Sequence, residues 1–133
     1  MPAELIEGAR EDMVKAVTDA GYNYIMMDKD ATRYGAVETR DEGRIYASWL
    51  KEHEGEYDGV ILCMPIFVDE NGAIAALQDA GVPILMQAYP DEIGKMDFQH
   101  RRDAYCGKFS VTDVFCQYNV PFTVMPPHVV DPL

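Results

Sequence analysis

Pro83-Ile84-Leu85-Met86-Gln87-Ala88-Tyr89-Pro90 is the stretch in which a short apolar run breaks into polar and aromatic residues. The run Pro83 to Met86 is apolar at every position, which suits a strand covered on both faces. Beyond the break comes Met96-Asp97-Phe98-Gln99-His100-Arg101-Arg102-Asp103-Ala104-Tyr105-Cys106-Gly107-Lys108, the densest polar cluster of the chain. Such groups, set just past a strand's carboxyl end, stand where open α/β sheets bind ligands.

Working outward, the segment before Pro83 predicts a helix with Ile74, Leu77 and Ala80 toward a sheet, closed by Gly81 and capped by Asn71 or Asp69. Tyr57-Asp58-Gly59-Val60-Ile61-Leu62-Cys63-Met64 reads as a strand stopped by Pro65, with Ile66 to Asn71 as a loop at its carboxyl end. That loop is expected to share a crevice with Gln87-Ala88-Tyr89. Thr39 to His53 predicts a helix with Ile45, Tyr46, Trp49 and Leu50 on one side, ended by Gly55, and Ala31 to Glu38 a loop. Tyr24-Ile25-Met26-Met27, ended by Asp28-Lys29-Asp30, reads as a strand covered on both faces. From Leu5 to Ala20 the spacing of Ile6, Ala9, Met13, Val17 and Ala20 predicts a helix with one buried face and Gly21 as its C-terminal cap. Downstream, Val111, Val114, Phe115 and Tyr118 follow helical spacing, and Pro121 to Met125 reads as a last short strand.

Helices alternating with short apolar strands imply an α/β fold, a three-layer flavodoxin-like (Rossmann-like) parallel sheet with helices on both faces. Such domains begin with a strand, yet only Met1, Pro2 and Ala3 precede the first helix. The expected sheet therefore lacks its first strand and carries a gap or an unpaired edge. The chain is expected to be a fragment or one domain of a larger enzyme.

With 133 residues, 48% of them hydrophobic, the chain has material for one domain around one core. Its 11 basic and 23 acidic residues give a net charge of −12, which repels nucleic-acid backbones and anionic membranes. No apolar run approaches the roughly 20 residues that span a bilayer, and Met1 to Glu7 lacks the pattern of a signal peptide. A cytoplasmic address is the expectation. Cys63, Cys106 and Cys116 suggest neither a disulfide framework nor a zinc site, and Cys63 reads as a small core residue. His53, His100 and His128 lie far apart, so no metal site is expected in this chain. No glycine falls in a phosphate-binding frame after a strand, and no serine sits in a nucleophile elbow.

Within the polar cluster, His100-Arg101-Arg102-Asp103 has the guanidinium forks and carboxylate that suit a polyhydroxylated or anionic ligand, or simply a solvated helix start with local ion pairs. Asp91, Asp97 and Asp103 are irregularly spaced for a hard cation and suit capping. Tyr89 and Tyr105 can line a sugar face or pack beneath a loop. Gly107-Lys108 can bring amides and an ammonium to a ligand or merely permit a turn. Asp69 and Glu70 suit a helix N-terminus, and the eight methionines suit core filling.

On Leu85-Met86-Gln87-Ala88-Tyr89-Pro90 and Met96 to Val111, with Cys63-Met64-Pro65 upstream and Pro121-Phe122-Thr123-Val124 downstream, the sequence resembles the N-terminal domain of the L-fucose/L-arabinose isomerase-like sugar isomerases. The resemblance implies an aldose–ketose isomerase that moves hydrogen between C1 and C2 through an enediol with a divalent cation, commonly manganese (Mn2+). In that family the metal ligands and acid–base carboxylates belong to later domains, so no catalytic residue and no cofactor is expected in this chain. What the resemblance implies for this domain is packing in a homo-oligomer and part of the wall of a neighbouring subunit's sugar site. In the arabinose branch a histidine after Met-Asp-Phe reaches the adjacent active site; the matching position here is Tyr105. The residues expected to face substrate or a neighbouring subunit are Gln87, Tyr89, His100, Arg102, Tyr105 and Lys108. The competing expectation is a stand-alone flavodoxin-like module that binds a small molecule or a partner.

Overall fold

A computed structural model describes residues 3–66, 69–95, 97, 101–124 and 129–133. Helix α1 (Ala3–Asp19) buries Ile6 and Ala9. It ends as a left-handed glycine permits: Gly21, at φ 87°, donates to the Thr18 carbonyl at 3.0 Å and Tyr22 to that of Val17 at 3.1 Å. A single 3-10 turn, Arg33–Gly35, lies in the following loop. Helix α2 (Arg40–Glu52) opens with a reciprocal cap. The Glu42 amide donates to Thr39 Oγ1 at 3.2 Å, while the Thr39 amide donates to the Glu42 carboxylate at 3.1 Å. Helix α3 (Glu70–Leu77) is capped by Asp69, which accepts from the Asn71 amide at 3.0 Å. Helix α4 spans Ala104–Gln117.

Strands β1 (Val60–Met64), β2 (Ile84–Ala88) and β3 (Thr123–Val124) form a parallel sheet in the order β1-β2-β3. Val60 stands opposite Ile84 and Met64 opposite Ala88, while Leu85 and Met86 face Thr123 and Val124. Side chains alternate across a strand, so Val60, Leu62, Met64, Ile84, Met86 and Ala88 share one face. They pack there with Leu50 of α2, Ile74 and Leu77 of α3, and Val111 and Phe115 of α4. That cluster is the core, and α1 contributes nothing to it. Asp12 of α1 instead reaches Tyr89, and its charge bears on Cys63, which projects from the opposite face. The sheet thus carries α2, α3 and α4 on one side and α1 on the other, the α/β layering expected.

Four expectations are corrected. Tyr24 to Met27 joins no ladder: Tyr24, Ile25 and Met26 are 51%, 42% and 37% exposed and only Met27 is buried. An apolar run becomes a covered strand only where a neighbouring strand offers its backbone, and among the described residues none lies beside this one. Strand β2 runs two residues past Met86, so Gln87 and Ala88 are ladder residues, not the start of a loop. Helix α4 begins at Ala104, earlier than its apolar spacing suggests, because Ala104 and Gly107 are small enough to bury among polar neighbours. Ile45, placed on a buried face by spacing, is 44% exposed, and Tyr118, likewise placed, lies one residue past the end of α4 and is 52% exposed.

Candidate functional site

At the carboxyl ends of β1 and β2 a polar cluster converges from four parts of the chain. Alternation along β2 turns Gln87 to the face opposite the core, beside Cys63, its ladder partner. Gln87 is 1% exposed, and its Nε2 donates to the Val130 carbonyl at 2.6 Å. Its Oε1 has no hydrogen-bond partner among the described residues. The Val130 amide in turn donates to the Ala88 carbonyl at 2.9 Å, so the end of the chain is tied to the end of β2. Just past the strand, Tyr89 is buried and donates its hydroxyl to Asp12 Oδ2 at 2.9 Å. Burial, and then that hydrogen bond, push the Tyr89 phenol well above its ordinary range.

Arg102 lies over the Tyr89 ring, its guanidinium carbon 4.8 Å from the ring centroid. Its fork is already engaged: Nη1 donates to the Pro65 carbonyl at 3.3 Å and Nη2 to Glu92 Oε1 at 3.1 Å. Asp91 Oδ1 accepts from the amides of both Arg102 and Asp103, at 2.5 and 3.3 Å. These bonds hold the segment before α4 against the end of β1. The Glu92 carboxyl sits below its ordinary range, first through Lys95 and then through Arg102. Cys63 is a protonated thiol at neutral pH, because burial and the nearby Asp12 charge push it up to about 12. It is no nucleophile in this state.

The other two expected residues stand apart from this cluster. Tyr105 and Lys108 line a shallow cavity of about 410 Å3 between α4 and β3, with Phe109, Cys116, Phe122 and Val124. Tyr105 is 40% exposed and meets Phe109 edge-on, with ring centroids 4.7 Å apart. Lys108 is buried, and burial lowers its ammonium below the ordinary range. The sixth, His100, lies outside the described residues. The structure therefore gathers Gln87, Tyr89 and Arg102 at the strand ends and sets Tyr105 and Lys108 in a second, more apolar hollow.

Sequence reasoning missed Asp12, Cys63, Asp91 and Glu92 as members of the first cluster. Asp12 is 77 residues from Tyr89, and no local pattern announces that pairing. Asp91, read as a cap, does cap, but across 11 residues to Arg102 rather than at its own helix start. Among the described residues no group of three or more His, Cys, Asp or Glu side chains converges on a point that would hold a metal ion. The nearest carboxylates are committed, Asp91 to backbone amides and Asp103 to Arg101 Nε at 2.9 Å. The described residues do not fit a divalent cation. What this arrangement offers chemically is hydrogen bonding, stacking and shape.

No helix among the described residues is long and apolar enough to cross a membrane. No curated protein and no solved structure matches the chain. A family model does: that of the fucose/sulfoquinovose isomerase N-terminal domain matches residues 1–132. A match of that length, on a parallel α/β sheet with its polar groups at the strand ends, makes this chain a member of the fucose/sulfoquinovose isomerase N-terminal domain family.

Proposed function

We propose that this domain serves an aldose–ketose isomerase as part of the wall of a sugar site and as a packing surface in a homo-oligomer. The acid–base groups and the divalent cation of that reaction are carried by other parts of the enzyme, and this chain alone does not isomerise. The observation that carries the reading is the convergence of Tyr89, Arg102 and Asp12 at the carboxyl ends of β1 and β2. These groups are buried or half-buried and bonded to one another or to neighbouring backbone, so what they supply is a fixed, polar floor to the strand-end crevice where α/β sheets bind ligands. Tyr105, more exposed and next to an apolar hollow, suits contact with a neighbouring subunit. Three free cysteines accord with a reducing, cytoplasmic setting.

Titrating the chain with an aldose and its 2-ketose partner, L-fucose and L-fuculose, while following backbone amide NMR shifts is the direct test. The expected perturbations cluster at residues 87–91 and 102–108. Shifts confined to other surfaces, or none at all, would remove the wall reading. Assayed with Mn2+ present, the chain is expected to form no ketose, and measurable turnover would overturn the division of labour.

A further inference from the structure

The sequence contains one Asp-Gly pair, Asp58-Gly59, and one Asn-Gly pair, Asn71-Gly72. At such pairs the backbone can turn on its own side chain: a residue without a Cβ leaves its amide nitrogen open to the side-chain carbonyl before it. The attack needs that nitrogen unbonded and the backbone around it free to leave its resting dihedrals. The fold treats the two pairs oppositely.

Asn71-Gly72 is held shut. Both residues lie in the first turn of α3, where Asp69 Oδ1 accepts from the Asn71 amide at 3.0 Å and from Asn71 Nδ2 at 3.2 Å. Gly72 is buried, with Val37 Cγ1 and the Thr39 carbonyl 2.8 and 2.9 Å from where its Cβ would be. Helical dihedrals turn the glycine nitrogen away from the asparagine side chain, and this packing resists any change in them.

Asp58-Gly59 lies open in the bend between α2 and β1, where both residues are exposed. Among the described residues the Asp58 carboxylate has no hydrogen-bond or ion-pair partner, and the Gly59 amide donates to no acceptor. The neighbours on either side are fixed. Tyr57 packs against the core and donates its hydroxyl to the Leu50 carbonyl at 3.4 Å, while the Val60 amide donates to the Pro83 carbonyl at 2.9 Å, where the ladder to β2 begins. The pair is a short unheld span between two anchors.

We propose that Asp58, and not Asn71, is the position at which the folded chain forms isoaspartate spontaneously, and that the isoaspartyl form loosens the first rung between β1 and β2. The Gly59 nitrogen bonds to Asp58 Cγ, and its proton leaves with the carboxyl hydroxyl as water, closing a cyclic imide. Water then adds to either ring carbonyl. Opening at Cγ restores aspartate, whereas opening at the main-chain carbonyl frees that carbon as a carboxylate and leaves the backbone running through Cβ and Cγ. The water lost on closure is regained on opening, so no co-reactant is consumed. The product carries an added methylene between the Tyr57 and Val60 anchors. Room for it is lacking on the β2 side, where even a Cβ on Gly59 would stand 3.3 Å from the Pro83 carbonyl that accepts from Val60.

The test ages the folded chain in warm neutral buffer and maps its peptides by chromatography with electron-transfer fragmentation, which distinguishes isoaspartyl from aspartyl at equal mass. The expected result is a second form of the Asp58-Gly59 peptide that grows with time, while Asn71 keeps its amide in the folded chain and loses it in urea. Asp58→Glu keeps the charge at an exposed position but closes a larger, less accessible ring, and is expected to abolish the second form. Hydrogen exchange of the Val60 amide, read on the separated isoaspartyl protein, is expected to be faster than in the aspartyl one. An Asp58 that stays aspartyl in the folded chain while a free peptide of the same sequence converts would overturn the proposal. Conversion of Asn71 at a matching rate in the folded chain would equally refute it, and unchanged Val60 exchange would refute the loosened rung.

Discussion

Cys63 shows how one half-buried group couples this fold to pH. Its thiol, ordinarily near 9.0, is pushed up to about 12 by burial, with the Asp12 charge adding to the effect. The folded state therefore holds the proton more tightly than the unfolded chain. The stability this contributes is complete below pH 9 and is lost as pH rises toward 12. Tyr46 and Tyr89, both raised chiefly by burial, act in the same sense. Lys108, lowered by burial, acts in the opposite one, penalising the native state while charged and ceasing to do so at high pH. Replacing the thiol isolates its share. Cys63→Ala is expected to flatten the fall of the unfolding free energy, measured by urea titration, between pH 9 and 12, by at most about 1.4 kcal/mol per pH unit. Identical slopes in the two proteins would show that the thiol is not sequestered. Cys63 was legible as a residue that prefers burial. Its neighbours Asp12 and Gln87 were not, because proximity across a sheet and between layers has no signature in local sequence.

At the scale of elements, the contact between α2 and α3 depends on two glycines. A Cβ on Gly43 would stand 2.9 Å from the Ala75 Cβ and closer still to the Gly72 carbonyl, and a Cβ on Gly72 would meet Val37 Cγ1 at 2.8 Å. Gly8 in α1, by contrast, has nothing within 4 Å of where its Cβ would be. Gly43→Ala is expected to destabilise the protein by about 1–3 kcal/mol through overpacking. Gly8→Ala is expected to stabilise it by about 0.5–1 kcal/mol through helix propensity. Urea unfolding of the two variants measures both, and a neutral Gly43→Ala would mean the helices do not meet there. Element ends were read well from sequence where local chemistry determines them. The Asp69 cap and the left-handed Gly21 and Gly55 fall where the spacing places them, whereas α3 ends at Leu77, four residues before Gly81. Tyr24 to Met27 was misread for the complementary reason: its composition is that of a strand, but a strand is completed by a partner's backbone.

At the scale of the whole molecule, the core joins the sheet to α2, α3 and α4, while α1 stays outside it and is tied on by the Asp12–Tyr89 bond and by Arg10 to Gly35 and Met27. Elements with few buried apolar contacts open locally at lower cost. Native-state hydrogen exchange is accordingly expected to be about tenfold or more faster in α1 than in α3, and equal protection would place α1 within the cooperative core. The sequence by itself determined the α/β class, the order of the elements apart from the run Tyr24 to Met27, and the Asp69 cap, since period, capping chemistry and glycine placement act over a few residues. It also carried the family resemblance and the expectation of a missing strand. Only the tertiary structure decided that Gln87, Tyr89 and Arg102 meet Asp12 and Cys63 while Tyr105 and Lys108 line a separate hollow. The physical reason is that burial, hydrogen-bond partners and covered edges are set by which surfaces the folded chain brings together, over separations that local pattern does not encode.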